Sequence, residues 1–297
     1  MRTPEQGRRG SGKRRPDRGT KRPGGPAGRG PGANRPNRPQ QGQRRQGSGR
    51  EQLTVADPRL LFGRNAVVES LRGRRPPPKR VWIAEGIKRD ERVEEIRQLA
   101  LEAGVPVEEA PRMLLDDMTT HANHQGVVLD PADYPYADIE DLIETGQTIL
   151  ILDHIQDPQN FGSLIRAGDA TGIGGVILPQ DRSVAVTPAV VNASAGAVEH
   201  VPVALVANLN RAAEKLIDSG YWVAGLAGDE ESAIDLFEAD LPTPLALVVG
   251  SEGRGISEAV RSKCQLLLRL PMTGKVASLN AATAGTVALY EVVRQQG

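Results

Sequence analysis

Five polar residues stand where apolar runs give way to loops: Asn160, Arg166, Glu252, Ser278 and Asn280. The run Leu245 to Val249 ends in a turn that carries Gly250, Gly253 and Gly255. A second run, Leu266 to Leu270, ends in Pro271, Gly274 and Lys275, then Ser278 and Asn280. Two strand ends that break into polar, glycine-bearing loops so close in sequence look like two walls of one small-molecule pocket. In open α/β sheets ligands sit just beyond the carboxyl ends of strands. Asn160 and Arg166 lie six apart and flank the start of a helix with Gly162 at its mouth. Alone, an arginine amid Leu164, Ile165 and Ala167 reads as a solvated helix residue, and Glu252 as a loop acid. Pairing raises both, because a carboxylate can orient a guanidinium through bidentate hydrogen bonds.

Other chemistries fail on spacing. A phosphate-binding P-loop needs a glycine five positions before Gly-Lys and a Ser or Thr after it. Here Gly274-Lys275 has Arg269 and Val276 at those places. A dinucleotide fold needs its Gly-rich turn after the first strand, but the corresponding strand end reads Asp153-His154-Ile155-Gln156-Asp157-Pro158. Gly250-Ser251-Glu252-Gly253 does not have the spacing of a nucleophile elbow. His121 and His124 lack a nearby third ligand and read as loop histidines, so no metal site is expected. Cys264, the one cysteine, permits no disulfide within the chain and reads as core-facing.

The elements that must position these residues alternate between strand and helix, which predicts an α/β fold with a parallel sheet. Residues 58–130 form a first module. Its reading is a loop entering a helix over 61–71, a strand at 81–84, a helix over 89–103 with Val93, Ile96, Ala100 and Ala103 on one face, a strand at 105–108, a short helix at 111–119 and a strand at 126–130. Segment 131–147 carries prolines and acids with no clear strand and reads as a linker. Residues 148–297 form the second module. Its strands are expected at 148–153, 175–179, 201–205, 221–227, 244–250 and 265–270, and its helices at 160–171, 187–198, 209–219 and 257–262, with a long final helix.

The overall balance of 37 basic and 37 acidic residues conceals an asymmetry. The first 50 residues hold 15 Lys and Arg against 2 acids, so the remainder holds 22 basic against 35 acidic residues. With 12 Gly, 7 Pro and three apolar residues, that segment cannot bury enough surface to offset its ordering entropy. Residues 1–55 are therefore expected to be a disordered tail, suited by its charge to RNA phosphates. The N-terminus has no apolar signal core, and no run approaches the ~18 apolar residues of a membrane span. These features predict a soluble, cytoplasmic protein.

The segments 153–172 (DHIQDPQNFGSLIRAGDATG), 245–257 (LALVVGSEGRGIS) and 270–295 (LPMTGKVASLNAATAGTVALYEVVRQ) resemble, in order and spacing, the three signature motifs of the SpoU (TrmH) family of SPOUT RNA methyltransferases. The first module, with FGRNAVVESL at 62–71 and HQGVV at 124–128, is similar to the L30e-like substrate-binding domain of bacterial enzymes that 2′-O-methylate a guanosine of 23S rRNA. The resemblance implies a C-terminal domain whose last segment threads a deep trefoil knot, an exception to the rule that chains avoid knots. It implies S-adenosylmethionine as methyl donor, framed by Gly250, Leu270 and Leu279 with Glu252 and Gly253 at the rim. It implies a homodimer with the final helix at the interface, and 23S rRNA as substrate, in the P-loop of the peptidyl-transferase centre. Arg166 takes the position of the family's catalytic arginine; Asn160, Glu252, Ser278 and Asn280 take its other active-site positions.

Moving a methyl from a sulfonium to a ribose oxygen requires loss of the hydroxyl proton and needs no Lewis acid. Arginine is a poor base in water, its pKa lying above about 12. Either a dry pocket and a neighbouring cation lower that value, or Arg166 positions a phosphate while the proton leaves elsewhere. Two other functions fit the fold: the same chemistry on tRNA, and a non-catalytic RNA-binding or ribosome-assembly factor. The first module favours rRNA, and the intact polar set favours an enzyme.

Overall fold

A computed structural model describes residues 57–296, except 89, 229, 276 and 277. The expected tail, 1–55, lies outside the described residues.

The first sheet is built from β1 (Leu61–Phe62), α1 (Arg64–Arg72), β2 (Arg80–Ala84), α2 (Glu91–Glu102), β3 (Val107–Ala110), α3 (Arg112–Met118) and β4 (Val127–Asp130). Its strand order is β1-β4-β2-β3, with β2 parallel to β3 and β4 antiparallel to its neighbours. Strand side chains alternate between faces. Val81, Ile83, Val127 and Leu129 therefore pack with Val67 of α1 and Val93 and Ile96 of α2, while Trp82, Ala84 and Val128 meet Leu115 and Met118 of α3. Asp90 caps α2 by accepting from the Val93 N–H at 3.1 Å. β3 begins later than the expected 105 because Val105 closes the end of α2, its N–H donating to Ala100 O at 2.8 Å.

Segment 131–147 contains structure that its composition hid. A capping box between Asp138 and Asp141 opens α4 (Ile139–Glu144), and Leu142 is buried against the second sheet. Ala137 also makes a parallel bridge with Ala204.

The second sheet follows with β5 (Ile149–Asp153), α5 (Pro158–Ala170), β6 (Gly175–Pro179), α6 (Pro188–Ala193), a single 3-10 turn (Ala197–Glu199), β7 (Val203–Val206), α7 (Leu209–Asp218), β8 (Trp222–Leu226), β9 (Ile234–Asp235), β10 (Leu245–Gly250), α8 (Glu258–Arg261), β11 (Leu266–Arg269) and α9 (Ala281–Gln296). The order is β7-β6-β5-β10-β8-β11-β9, and every pairing is parallel. β5 is buried along its whole length, as a parallel strand covered on both faces must be. Leu150, Leu152, Leu247 and Val249 face Phe161, Leu164 and Ile165 of α5 and Leu289 and Val292 of α9. Ile149, Ile151, Ala246 and Val248 face Leu142 of α4, Leu216 of α7 and Val260 of α8. α9 comes close to α5 at Gly285, where a Cβ would lie 2.5 Å from Leu164 Cδ2.

Two further expectations change. β9, only two residues long, carried no sequence signal. The helix expected over 187–198 breaks after Ala193. Ala195 and Gly196 turn into the left-handed region, at φ 52° and 90°. A side chain at Gly196 would meet Glu69 Cβ of α1 at 2.4 Å. The small residues there serve a close approach rather than a continuous helix.

Candidate active site

The carboxyl ends of β8, β10 and β11 open into a cavity of about 680 Å³. Its walls include Gly250, Glu252, Gly253, Leu270, Ser278, Leu279 and Asn280. The two glycine-bearing strand ends thus face one space. Leu226, Leu268, Met272, Ala281 and Ala284 add an apolar lining. One wall is bare backbone. A Cβ on Gly250 would lie 2.1 Å from Gly255 C and 2.3 Å from both Gly255 O and Ile256 N. The turn therefore folds back onto Gly250, closed by the Gly255 N–H donating to Ser251 O at 2.9 Å. Gly253 and Gly255 take φ of 78° and 65°, a region where L side chains are disfavoured.

Three separate segments meet at the mouth. α5 starts at Asp157, whose side chain accepts from the Gln159 N–H at 3.1 Å, with Pro158 at its first position. This start buries Asn160 in the first turn. Asn160 Nδ2 donates to Glu252 Oε1 at 3.1 Å. Asn280 Nδ2 donates to Asn160 Oδ1 at 2.8 Å and also to Glu252 Oε1. Asn280 Oδ1 in turn accepts from the Ala282 and Thr283 N–H groups, at 2.9 and 3.1 Å, and so caps α9. A capping residue is thus also the tie that holds the glutamate.

Arg166 does not join this cluster, and its expected pairing with Glu252 is corrected. Glu252 is held by two amides, and Arg166 is exposed on α5. The cause is helix geometry. Six residues at 3.6 per turn put Arg166 roughly 240° around the axis from Asn160 and about 9 Å along it. A side chain so placed does not lie beside Asn160, and Arg166 is not among the residues that line the cavity.

Other polar residues have structural partners. His124 is buried, its Nδ1 accepting from the Gly126 N–H at 3.0 Å while Nε2 meets Asp116 Oδ1 at 2.9 Å. Burial pushes the Cys264 thiol up to about 12, helped by the charge of Asp153. Gly228, Arg254 and Met272 line the cavity but carried no signal in sequence, since nothing local distinguishes them from ordinary loop residues.

The first module joins the second sheet through buried charge. Arg75 and Glu199, at 6% and 0% side-chain exposure, pair at 2.8 Å. Arg75 Nη1 also donates to Ala132 O at 3.0 Å, and its guanidinium carbon lies 5.1 Å from the Tyr134 ring centre. Burial raises the Glu199 carboxyl above its ordinary value, with Arg75 opposing. Gly73 makes the contact possible, because a Cβ there would lie 2.6 Å from Glu199 Cβ.

Comparison with known proteins agrees with this architecture. The model of the SpoU rRNA methylase family matches residues 147–290, and that of the RNA 2′-O ribose methyltransferase substrate-binding domain matches 60–137. YacO of Bacillus subtilis, whose description places it in the TrmH family of tRNA/rRNA methyltransferases, is 41% identical over 242 residues, covering 80% of this chain and 95% of that one. An uncharacterized tRNA/rRNA methyltransferase of Synechocystis, slr0955, is 41% identical over 80% of this chain, which spans 63% of its length. Among solved structures, an rRNA methyltransferase from Sinorhizobium meliloti has a TM-score of 0.66 at 25% identity, covering 80% of this chain and 88% of that one. The SpoU methyltransferase AviRb from Streptomyces viridochromogenes, in complex with AdoMet, has a TM-score of 0.65 at 25% identity, covering 80% and 90%. The sheet, its late glycine-rich loops and these matches define a SPOUT-class RNA methyltransferase. The chain belongs to the SpoU (TrmH) family. No helix among the described residues is long and apolar enough to cross a membrane.

Proposed function

We propose that this chain, as a cytoplasmic homodimer, transfers a methyl group from S-adenosylmethionine to the ribose 2′-hydroxyl of a guanosine in 23S rRNA, in the P-loop of the peptidyl-transferase centre. The observation that carries this reading is the tie among Asn160, Glu252 and Asn280 at the mouth of a backbone-walled cavity. The cavity fits the donor in size, since small-ligand and cofactor pockets run to roughly 300–1,000 Å³. Its apolar side, Leu226, Leu268 and Leu270, suits a purine ring, and the bare Gly250–Gly255 backbone suits polar edges. When bound, the donor supplies a methyl group on a sulfonium, so the departing thioether is neutral.

The chain's own residues then have distinct tasks. Gly250, Leu270 and Leu279 hold the donor, with Glu252 and Gly253 at the rim. Asn160 and Asn280 fix Glu252 through its Oε1, which leaves Oε2 to accept from a hydroxyl or amine of a bound molecule. Ser278, which lines the cavity, can meet the incoming ribose. Arg166, exposed on α5 and not among the residues that line its own cavity, is offered to the partner subunit's pocket, where it activates the 2′-hydroxyl or anchors a neighbouring phosphate. We read the chain as knotted, with Leu270 and Leu279 lining the same cavity as Gly250 and with α9 at the dimer interface. The first module, docked by Arg75 and Glu199, receives the RNA.

Arg166→Ala tests the assignment. It is expected to keep donor affinity and lose roughly 10²- to 10⁴-fold in turnover, the range for a group assisting proton transfer. A near-normal single-turnover rate would refute the role. Ribose-methylation mapping in a deletion strain tests the substrate. The expected result is loss of one 2′-O-methylguanosine from 23S rRNA; loss of a tRNA methyl group would move the assignment to tRNA.

A further inference from the structure

Asp153 is the last residue of β5, fully buried at the end of an otherwise apolar strand. A carboxylate so placed is costly unless its oxygens are satisfied. Both are. Oδ1 pairs with Nδ1 of His154, and Oδ2 accepts from the backbone N–H of Ser257 at 2.6 Å. Ser257 closes the very loop, 250–257, that walls the cavity. Asp153 is also the register partner of Gly250 across β5 and β10, so the bond spans from the first residue of the loop's base to its last.

Besides the Gly255 N–H to Ser251 O bond that closes its turn, the loop has two side-chain restraints. Ile256 is buried in the core and occupies the space left by Gly225, where a Cβ would lie 2.7 Å from Ile256 Cδ1. At its tip Glu252 is tied to Asn160 and Asn280. At the loop's exit the Ser257 carbonyl accepts from the Arg261 N–H at 2.8 Å, which leaves its N–H to be held by Asp153. Hydrogen bonds to charged acceptors are the strong ones, and this one holds backbone directly.

We propose that Asp153 is a positioning residue for methyl-donor binding: its buried carboxylate fixes the exit of the 250–257 loop through the Ser257 N–H, and thereby holds the backbone wall of the cavity in its binding geometry. The proposal rests on the assignment of that cavity to S-adenosylmethionine.

The test measures two quantities on the full chain: S-adenosylhomocysteine affinity by calorimetry, and hydrogen exchange across 250–257 without ligand. Asp153→Ala is expected to weaken affinity about ten- to hundredfold, the range for one hydrogen bond to a charged group, and to speed exchange across the loop. Asp153→Asn keeps an acceptor oxygen and is expected to stay within about threefold of wild type. Ser257 has φ −63°, which proline adopts, so Ser257→Pro removes the same donor from the other side. It is expected to lower affinity in the wild-type background and to change little when added to Asp153→Ala. If Asp153→Ala does not fold, Ser257→Pro carries the test. A folded Asp153→Ala or Ser257→Pro variant with wild-type affinity and unchanged exchange overturns the proposal. Failure of the wild-type chain to bind S-adenosylhomocysteine overturns the donor assignment instead, and the exchange measurement still decides whether Asp153 holds the loop.

Discussion

Replacing Gly250 with alanine tests the backbone wall most directly. The added Cβ would stand 2.1 Å from Gly255 C, where ordinary contact begins at 3.4 Å. The returning strand of the turn must therefore retreat by roughly 1.3 Å, the difference between those two distances. The obstacles are main-chain atoms, so no side chain can rotate aside. Overpacking of this kind costs about 1–3 kcal/mol of stability, which a chain with this much buried sheet can sustain. A displacement of about 1 Å at a site that binds and orients costs on the order of 10²-fold. The expected result is a folded protein with a modestly lowered melting temperature and at least a hundredfold loss in kcat/KM for methyl transfer to an rRNA transcript, accompanied by weaker donor binding in calorimetry. Gly228→Ala is the control: it lines the same cavity, yet its added Cβ meets nothing within 4 Å. It should leave the melting temperature unchanged. A Gly250→Ala protein with wild-type affinity and turnover would refute the idea that this turn is packed backbone on backbone against a bound donor.

Three further outcomes are expected. Asn280→Ala should lose about 1 kcal/mol with the α9 cap, whereas Asn280→Ser keeps a capping oxygen and loses only the amide donors to Asn160 and Glu252. The serine variant should therefore melt near wild type but turn over slowly, a split that thermal scans and methyl-transfer assays resolve. Arg75→Met leaves Glu199 buried without its partner and should cost about 3–5 kcal/mol in urea unfolding; adding Glu199→Met should restore most of it, since an apolar pair has no charge to solvate. Glu291, hydrogen-bonded by Arg294 and then Gln295, has its carboxyl lowered from 4.5 to about 2. Its folded pKa lies below its unfolded one, so its stabilisation is present above about 4.5 and is lost as pH falls toward 2. Urea midpoints between these limits should fall less steeply in Glu291→Gln than in wild type.

The periodicity of apolar residues and the glycine punctuation were enough to read an α/β chain of two modules. β6 falls on the expected 175–179, and β5 and β10 each lie within a residue of their expected starts. These are long buried strands whose signal is local. The same logic found both glycine-bearing strand ends that wall the cavity. It missed β9, a two-residue strand defined by its pairing with β11, and it overran the helix at 193, where close approach to α1 set the backbone.

What sequence could not decide was partnership across distance. Nothing local says that Glu252 is held by Asn160 and Asn280 rather than by Arg166. That follows from the rotation of α5 about its axis, fixed when Phe161, Leu164 and Ile165 turn inward to the sheet and carry Arg166 out to solvent. Asp153 likewise reads in sequence as the polar end of an apolar run. Only the adjacency of β5 and β10, strands separated by ninety-odd residues of chain, brings its carboxylate to the Ser257 N–H. Residue types and spacing announce which groups a site can contain; which of them meet is set by the packing of the sheet against its helices.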